Sequence, residues 1–342
     1  MKYYRVLEEF GSVHLCVESG KNELTSLTSI NDLVKDYKSL LETSHITKTK
    51  VDDITKQLIE NHQGKTFELD KLIDCSINKT GPARIIKPIE PDEMWAGGFG
   101  NMIIKPEDLA KASEDVKISY NTPEISTTLY KGTNHRLVGP FDKVGIRSDT
   151  EKTIAEGEII FIIYKGKFVG ISTGNEVAGG LASLAQVWTV PAKVFKGCAS
   201  IGPCILSMEN EEENKNPLEL KLEINQYREN KLVGSGSIVT EFKRSPVDIV
   251  ASTVAHDTPP DLVIQYSGGF AIARKDKEIV PLENGDNVFI SNGINVIVDE
   301  SSIRYLDGTE VDFLEDGLSS SFLFKNPNVS EECGCGESFT VD

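Results

Sequence analysis

The stretch "GEIIFIIYKGKFVGISTGN" constrains the fold of this chain more than any other. Two apolar, β-rich runs flank Lys165-Gly166-Lys167. β-branched and aromatic residues favour strands, and a short glycine-containing break between two such runs is a hairpin signal. Glu156 and Glu158 stand at the start of the first arm. At a period of two, both side chains leave the same face of a strand. Carboxylates placed that way repel each other unless a cation lies between them. Glu176, after the second arm, is a third acid that can close the set. Three oxygen donors with no His or Cys nearby select a hard cation, Mg²⁺ before Ca²⁺ or Mn²⁺. A solvated strand edge carrying ordinary acids has the same spacing, so the residues alone leave both readings open.

The rest of the chain divides around this hairpin. In residues 1–85, "YYRVLEE" and "VHLCVES" alternate like strands. "SINDLVKDYKSLLETS" has helical spacing with Ser29 or Asn31 as caps, and "VDDITKQLIENHQG" predicts a helix stopped at Gly64. The proline-rich "GPARIIKPIEPDEMWAGG" marks a boundary. Beyond it, "LELKLEINQYRENKLVGSGS" predicts a second hairpin and "PVDIVASTVAHDTPP" a helix ended by prolines. "VPLENGDNVFISNGINVIVD" returns to strands. The expected domains are a small N-terminal α/β region (1–85), a central domain (86–290) and a C-terminal segment (291–342).

Composition narrows the function classes. The chain has 342 residues and a net charge of −17, from 36 basic and 53 acidic side chains. Nucleic-acid binding needs cationic surface, so no nucleic-acid partner is expected. There is no apolar run of membrane-spanning length and no signal-peptide pattern at the start, so the expected location is cytoplasmic, with no membrane partner. Six cysteines in so long a chain are not a disulfide framework. Cys16, Cys75, Cys198 and Cys204 lie among apolar residues and are expected as buried thiols. Cys333 and Cys335 differ, being set among Gly, Glu and Ser in "SEECGCGESFTVD".

Residues 85 to 290 resemble the fumarylacetoacetate hydrolase superfamily, and within it the 2-keto-3-deoxy-sugar-acid dehydratases. The blocks that carry the resemblance are "EMWAGG", "TPEISTTLYKGTNHRLVGPFDKVGIRSDT", "EGEI", "GKFVGISTGNEV", "PAKVFKGCASIGPCI", "FKRSPVDIV" and "LENGDNV", in the family's order. The resemblance implies an α+β fold with a mixed β-roll core, a homodimer, and a divalent metal, Mg²⁺ or Mn²⁺. By position the metal ligands are Glu156, Glu158 and Glu176. It also implies a 2-oxo acid substrate and a catalytic lysine, Lys193 in "VPAKVF". Several positions depart from the family pattern. Glu176 replaces an Asp, Gly179 and Gly180 replace polar and cationic groups, "FGNMIIKP" replaces a Tyr–Arg segment, and "YSGGF" with Ser267 replaces a Thr-Gly-Thr turn. Lys131 and Thr133 in "YKGT" remain as candidates to hold a substrate carboxylate.

The last stretch is similar to the second half of the A-type iron–sulfur carriers, through "VIVDESSIRYLDGTEVDF", "FLFKNPN" and "CGCGESF". A β-rich half-domain is implied, with Cys333 and Cys335 as soft ligands for iron or an iron–sulfur cluster. The family's third cysteine falls near Gly269, where this chain has none. A cluster then needs a second chain or a non-Cys ligand such as Glu337. The expected function is a metal-dependent lyase that dehydrates a 2-keto-3-deoxy sugar acid. The alternatives are an iron carrier on a hydrolase-like scaffold, oxaloacetate decarboxylation, or an acylpyruvate-type C–C hydrolase. The last needs a His–Glu pair to activate water, and His135 and His256 stand apart from any such partner in the sequence.

Overall fold

A computed structural model describes residues 1–97, 101, 103–112, 114–122, 128–148, 153–179, 189–228, 231–255, 259–271, 287–291, 294–298, 303–306, 308–316, 319–332 and 339–341. These fall into two compact units, Met1–Lys275 and Asp276–Asp342.

The first unit opens with strands β1 (Lys2–Glu8), β2 (Val13–Gly20) and β3 (Glu23–Ser26). Helices α1 (Leu27–Ile30), α2 (Tyr37–Thr47) and α3 (Val51–Asn61) come next, then β4 (Thr66–Glu68), α4 (Leu69–Asn78), β5 (Ala83–Ile86) and β6 (Glu93–Ala96). The single helix expected over "SINDLVKDYKSLLETS" is two helices. Ser26 caps α1 by accepting from Ser29 N, and Asp36 caps α2 in a reciprocal capping box with Ser39. Two strong caps close together split one periodic stretch. Helix α3 ends at Asn61 rather than at Gly64.

Beyond β6 lie α5 (Pro106–Lys111), α6 (Glu114–Asn121), β7 (Leu129–Gly132) and β8 (Leu137–Val138). The long hairpin is β9 (Thr153–Tyr164) and β10 (Lys167–Gly179). Its loop is Lys165-Gly166, both with positive φ (47° and 73°), the backbone that a right-twisted two-residue hairpin requires. After it lie α7 (Thr189–Lys193), β11 (Ala199–Ile201), β12 (Ile205–Ser207), a two-stranded ribbon of β13 (Glu219–Arg228) and β14 (Lys231–Glu241), α8 (Pro246–Val254) and β15 (Leu262–Ala271).

Thirteen strands join in one sheet, in the order β4-β3-β2-β1-β12-β10-β9-β15-β6-β7, with β5 on β1 and β11 between β10 and β8. Most pairs are antiparallel, but β15–β6 and β11–β8 are parallel, so the sheet is mixed. The expected α+β class with a mixed sheet describes this unit. The N-terminal strands are continuous with the sheet, because β1 pairs with β12. No sheet edge separates residues 1–85 from the central strands.

Strand β9 lies between β10 and β15 and is buried on both faces. Ile160, Ile162 and Tyr164 pack into one core, with Tyr3, Leu40, Ile264 and Tyr266. Ile159, Phe161 and Ile163 pack into another, with Trp95, Phe242, Ile249 and Val250 of α8. A strand covered on both sides needs an unbroken apolar run, which "IIFIIY" supplies. Of the four cysteines expected inside, Cys16 and Cys198 are buried, while Cys75 and Cys204 are partly exposed.

The second unit contains β16 (Asn287–Ser291) paired with β17 (Ile294–Val298), α9 (Ile303–Leu306), β18 (Glu310–Asp316) paired with β19 (Ser319–Lys325), and β20 (Val329–Glu332) paired with β21 (Phe339–Val341). Asn326 Nδ2 donates to the Tyr305 carbonyl at 2.8 Å, tying the end of β19 to α9. Cys333, Cys335 and Glu337 belong to the segment between β20 and β21, outside the described residues.

Close strand packing at the hairpin depends on Gly174. A Cβ there would collide with the Ser200 carbonyl oxygen of β11 and with Ile160 Cδ1. Gly174→Ala is therefore expected to destabilise the protein by about 1–3 kcal/mol through overpacking. Urea denaturation measures this, and an unchanged midpoint would contradict the close approach.

Candidate metal centre

The hairpin register builds the site. Glu176 on β10 lies directly opposite Glu156 on β9, and Glu158 is two residues further along the same face. Donor oxygens of the three carboxylates lie within 4.8 Å of one another. Glu158 is 8% exposed and Glu176 3%. Neither neighbouring strand sets a side chain directly opposite Glu158. On β10 its partner is Gly174. On β15 the register passes from Ser267–Ile159 to Phe270–Gly157, which leaves Gly268 and Gly269 opposite it. The "SGG" that departs from the family pattern is a bulge opposite the innermost carboxylate, and the space a Cβ on Gly268 would need is taken by Thr240 and by Phe242 of the other core.

Two lysines enter the cluster from other elements. Lys193, the last residue of α7, places Nζ 3.1 Å from Glu156 Oε2 and 3.0 Å from Glu176 Oε1. Arg147 steadies this short helix by donating to the Pro191 carbonyl at 2.7 Å. Lys131 of β7 is completely buried, with Nζ 3.1 Å from Glu176 Oε1 and donating to the Lys193 carbonyl at 2.7 Å. Both ammonium groups reach Glu176 Oε1 at ion-pair distance, but no aligned hydrogen bond is made to that atom. Charge, not hydrogen-bond direction, holds them there.

Burial and charge set the protonation of the cluster. Burial, reinforced by the charges of Glu176 and Glu156, pushes the Glu158 carboxyl well above the ordinary range. Burial acts on Glu176 in the same direction, but Lys131 and Lys193 outweigh it and hold its pKa low. Burial would lower Lys193, yet Glu176 and Glu156 outweigh it, so its pKa is raised. Glu176 is thereby held in its charged form and Lys193 as an ammonium, while Glu158 is biased toward its protonated form. Tyr266 lies on the same face as Glu158, opposite Ile160. Its hydroxyl donates to the Ser200 carbonyl at 2.8 Å, and burial with the nearby acids keeps it neutral.

Glu156, Glu158, Glu176, Lys193 and Lys131 are thus brought together, while two other expected residues are not. Ser267, expected to bind substrate, lies opposite Ile159, whose side chain fills the other core. Strand alternation therefore turns it away from the carboxylates. Thr133 places its hydroxyl 2.7 Å from His135 Nδ1 in a short 3₁₀ turn, rather than at the cluster. Lys131 reaches the cluster but is fully enclosed, so it does not present a free ammonium to a substrate carboxylate. His256 and Gly180 lie outside the described residues. A His–Glu pair does exist elsewhere. His14 Nε2 is 2.9 Å from Glu8 Oε2, and Nδ1 is 2.9 Å from Ser26 Oγ. Ser26 is buried and already caps α1, so this is a closed structural network. Sequence spacing missed Tyr266 and the pairing of His14 with Glu8, because each depends on contact between strands.

An all-oxygen donor set on buried, mutually repelling carboxylates fits a hard divalent cation. Comparison with known proteins agrees with both halves of the chain. A protein of Haloferax volcanii described as "Probable 2-keto-3-deoxyxylonate dehydratase" is 25% identical over 289 residues, covering 81% of this chain and 94% of that one. The solved structure of 2-keto-3-deoxy-D-arabinonate dehydratase complexed with magnesium and 2,5-dioxopentanoate superposes with a TM-score of 0.60. It shares 22% identity and covers 87% of this chain and 98% of the other. The iron-binding protein IscA of Xenorhabdus nematophila is 64% identical over 82 residues, covering 23% of this chain and 75% of that protein. The family model for iron-sulphur cluster biosynthesis matches residues 260–337, so the likeness begins well before residue 291 and overlaps β15. Through residues 260–337 the chain belongs to the iron-sulphur cluster biosynthesis family, and its larger unit has the fold of the fumarylacetoacetate hydrolase superfamily.

Proposed function

We propose that the larger unit is a Mg²⁺-dependent lyase that dehydrates a 2-oxo acid, with a 2-keto-3-deoxy sugar acid as substrate. The observation that carries this reading is the convergence of Glu156, Glu158 and Glu176 with Lys193 Nζ on one sheet face. Those three carboxylates would hold the cation. Bound there, Mg²⁺ or Mn²⁺ supplies Lewis acidity to the keto group of a 2-oxo acid. Lys193 is an ammonium while Glu156 and Glu176 carry full charge. When those carboxylates are shared with a cation, it loses that support and its proton becomes available. In the dehydration a proton leaves the carbon beside the keto group, and hydroxide leaves the next carbon and is protonated to water. Lys193 Nζ is the group positioned to stabilise the enolate or to move these protons. The similarity to the Haloferax protein supports the substrate class. A cytoplasmic homodimer is the matching state of the whole protein.

A second reading concerns the C-terminal unit. Its 64% identity to an iron-binding protein supports iron or iron–sulfur binding at Cys333 and Cys335. Anaerobically purified protein is then expected to be coloured, and Cys333→Ser to lose iron without changing Mg²⁺-dependent turnover. Colourless, iron-free protein would set that reading aside. A turnover loss in the Cys333→Ser variant would link the thiols to the lyase.

Two outcomes test the lyase. Chelator-treated protein should regain turnover of 2-keto-3-deoxy acids when Mg²⁺ is added. Glu158→Gln should lower kcat/KM by at least about 10²-fold, because a metal ligand is gone. Equal turnover with and without Mg²⁺ would refute the reading. The second outcome is pH dependence. The raised pKa of Glu158 means that the metal-free site holds a proton which the bound cation must displace. Mn²⁺ affinity should therefore rise with pH through that raised pKa and weaken below it. Calorimetry in buffers of different ionisation enthalpy would detect about one released proton. An affinity that does not change with pH would argue against a protonated Glu158.

A further inference from the structure

Lys131 is a fully enclosed cation. A buried charge is tolerated only when it is paired and hydrogen-bonded, so its partners define its role. Among the described residues it has two within reach, the Lys193 carbonyl at 2.7 Å and Glu176 Oε1 at 3.1 Å. The first is the terminal carbonyl of a five-residue helix, a group with no intrahelical partner. So short a helix does not hold its own direction and depends on outside ties. The backbone of Lys131 is specialised as well. The β6–β7 register passes from Met94–Gly132 to Trp95–Tyr130, which leaves Lys131 as the extra residue of a bulge. Gly132, next in the chain, has a φ of 125°. Bulges re-aim a side chain out of the regular strand pattern.

We propose that Lys131 is a positioning residue: its ammonium clasps the end of α7 to Glu176 and so fixes where Lys193 Nζ stands. It acts through Lys193 and does not touch the substrate. This proposal rests on the metal-dependent lyase reading above.

The test is a double-mutant cycle on the full-length, Mg²⁺-loaded protein with a 2-keto-3-deoxy acid. Lys131→Met is expected to lower kcat about ten-fold or more with little change in KM, since misplacing a catalytic group by an ångström costs that much or more. Lys193→Met should lower kcat further, and the double variant should be no worse than Lys193→Met alone. Mn²⁺ should bind Lys131→Met at least as tightly as the wild type, because a positive neighbour of Glu176 is gone. Lys131→Gln keeps a donor for the carbonyl and should recover part of kcat, and it serves if the Met variant does not fold. Losses that multiply in the double variant, a wild-type kcat in the folded Met or Gln variant, or loss of Mn²⁺ binding in either would overturn the proposal. Full activity in Lys193→Met would instead refute the lyase reading on which it stands.

Discussion

The pairing of Glu156 with Glu176 across the β9–β10 hairpin is the constraint on which the site depends. It forces like charges together where Glu176 is buried and Glu156 only partly exposed. Two features answer that repulsion: a pKa of Glu158 raised toward the protonated form, and two lysines from distant elements at ion-pair distance from Glu176. The surrounding fold supports this cluster. Strand β9 is buried on both faces, so its register cannot slip without turning apolar side chains to water. The tight Lys165-Gly166 turn pins the same register from the other end.

Glycine has a consistent place around the innermost carboxylate. Gly174 on one side and the Gly268–Gly269 bulge on the other stand directly opposite Glu158, so its nearest carboxylate on an adjacent strand is Glu176, two residues along β10. The two lysines come from β7 and α7, elements of four and five residues, and the end of α7 is tied by Arg147 and Lys131. An arrangement of this kind makes the position of Lys193 sensitive to residues that never meet the substrate.

Much of this is legible in the sequence for physical reasons. The hairpin comes from β-rich runs around a glycine, and the shared face of Glu156 and Glu158 from strand periodicity. The three carboxylates are each identifiable as candidate ligands because oxygen donors at that spacing have a limited chemistry. The lysines are legible only through resemblance to a family, since a lone lysine carries no pattern. Ser267 is misplaced by sequence reasoning because its face depends on the register between β15 and β9, which no local spacing reveals. The helical stretch before residue 47 reads as one helix, because apolar periodicity is continuous across a break that the Ser26 and Asp36 caps impose.

The sequence by itself determined the strand-rich architecture, the acidic surface, the three carboxylates and the cysteine pair of the C-terminal family segment. These are local properties, set by periodicity, composition and contiguous motifs. Only the tertiary structure decided that the N-terminal strands complete the main sheet, that Lys131 is enclosed rather than free, and that Glu158 lies between glycines on both neighbouring strands. Each of those depends on strand order, register and burial, which arise when segments far apart in the chain exclude water together.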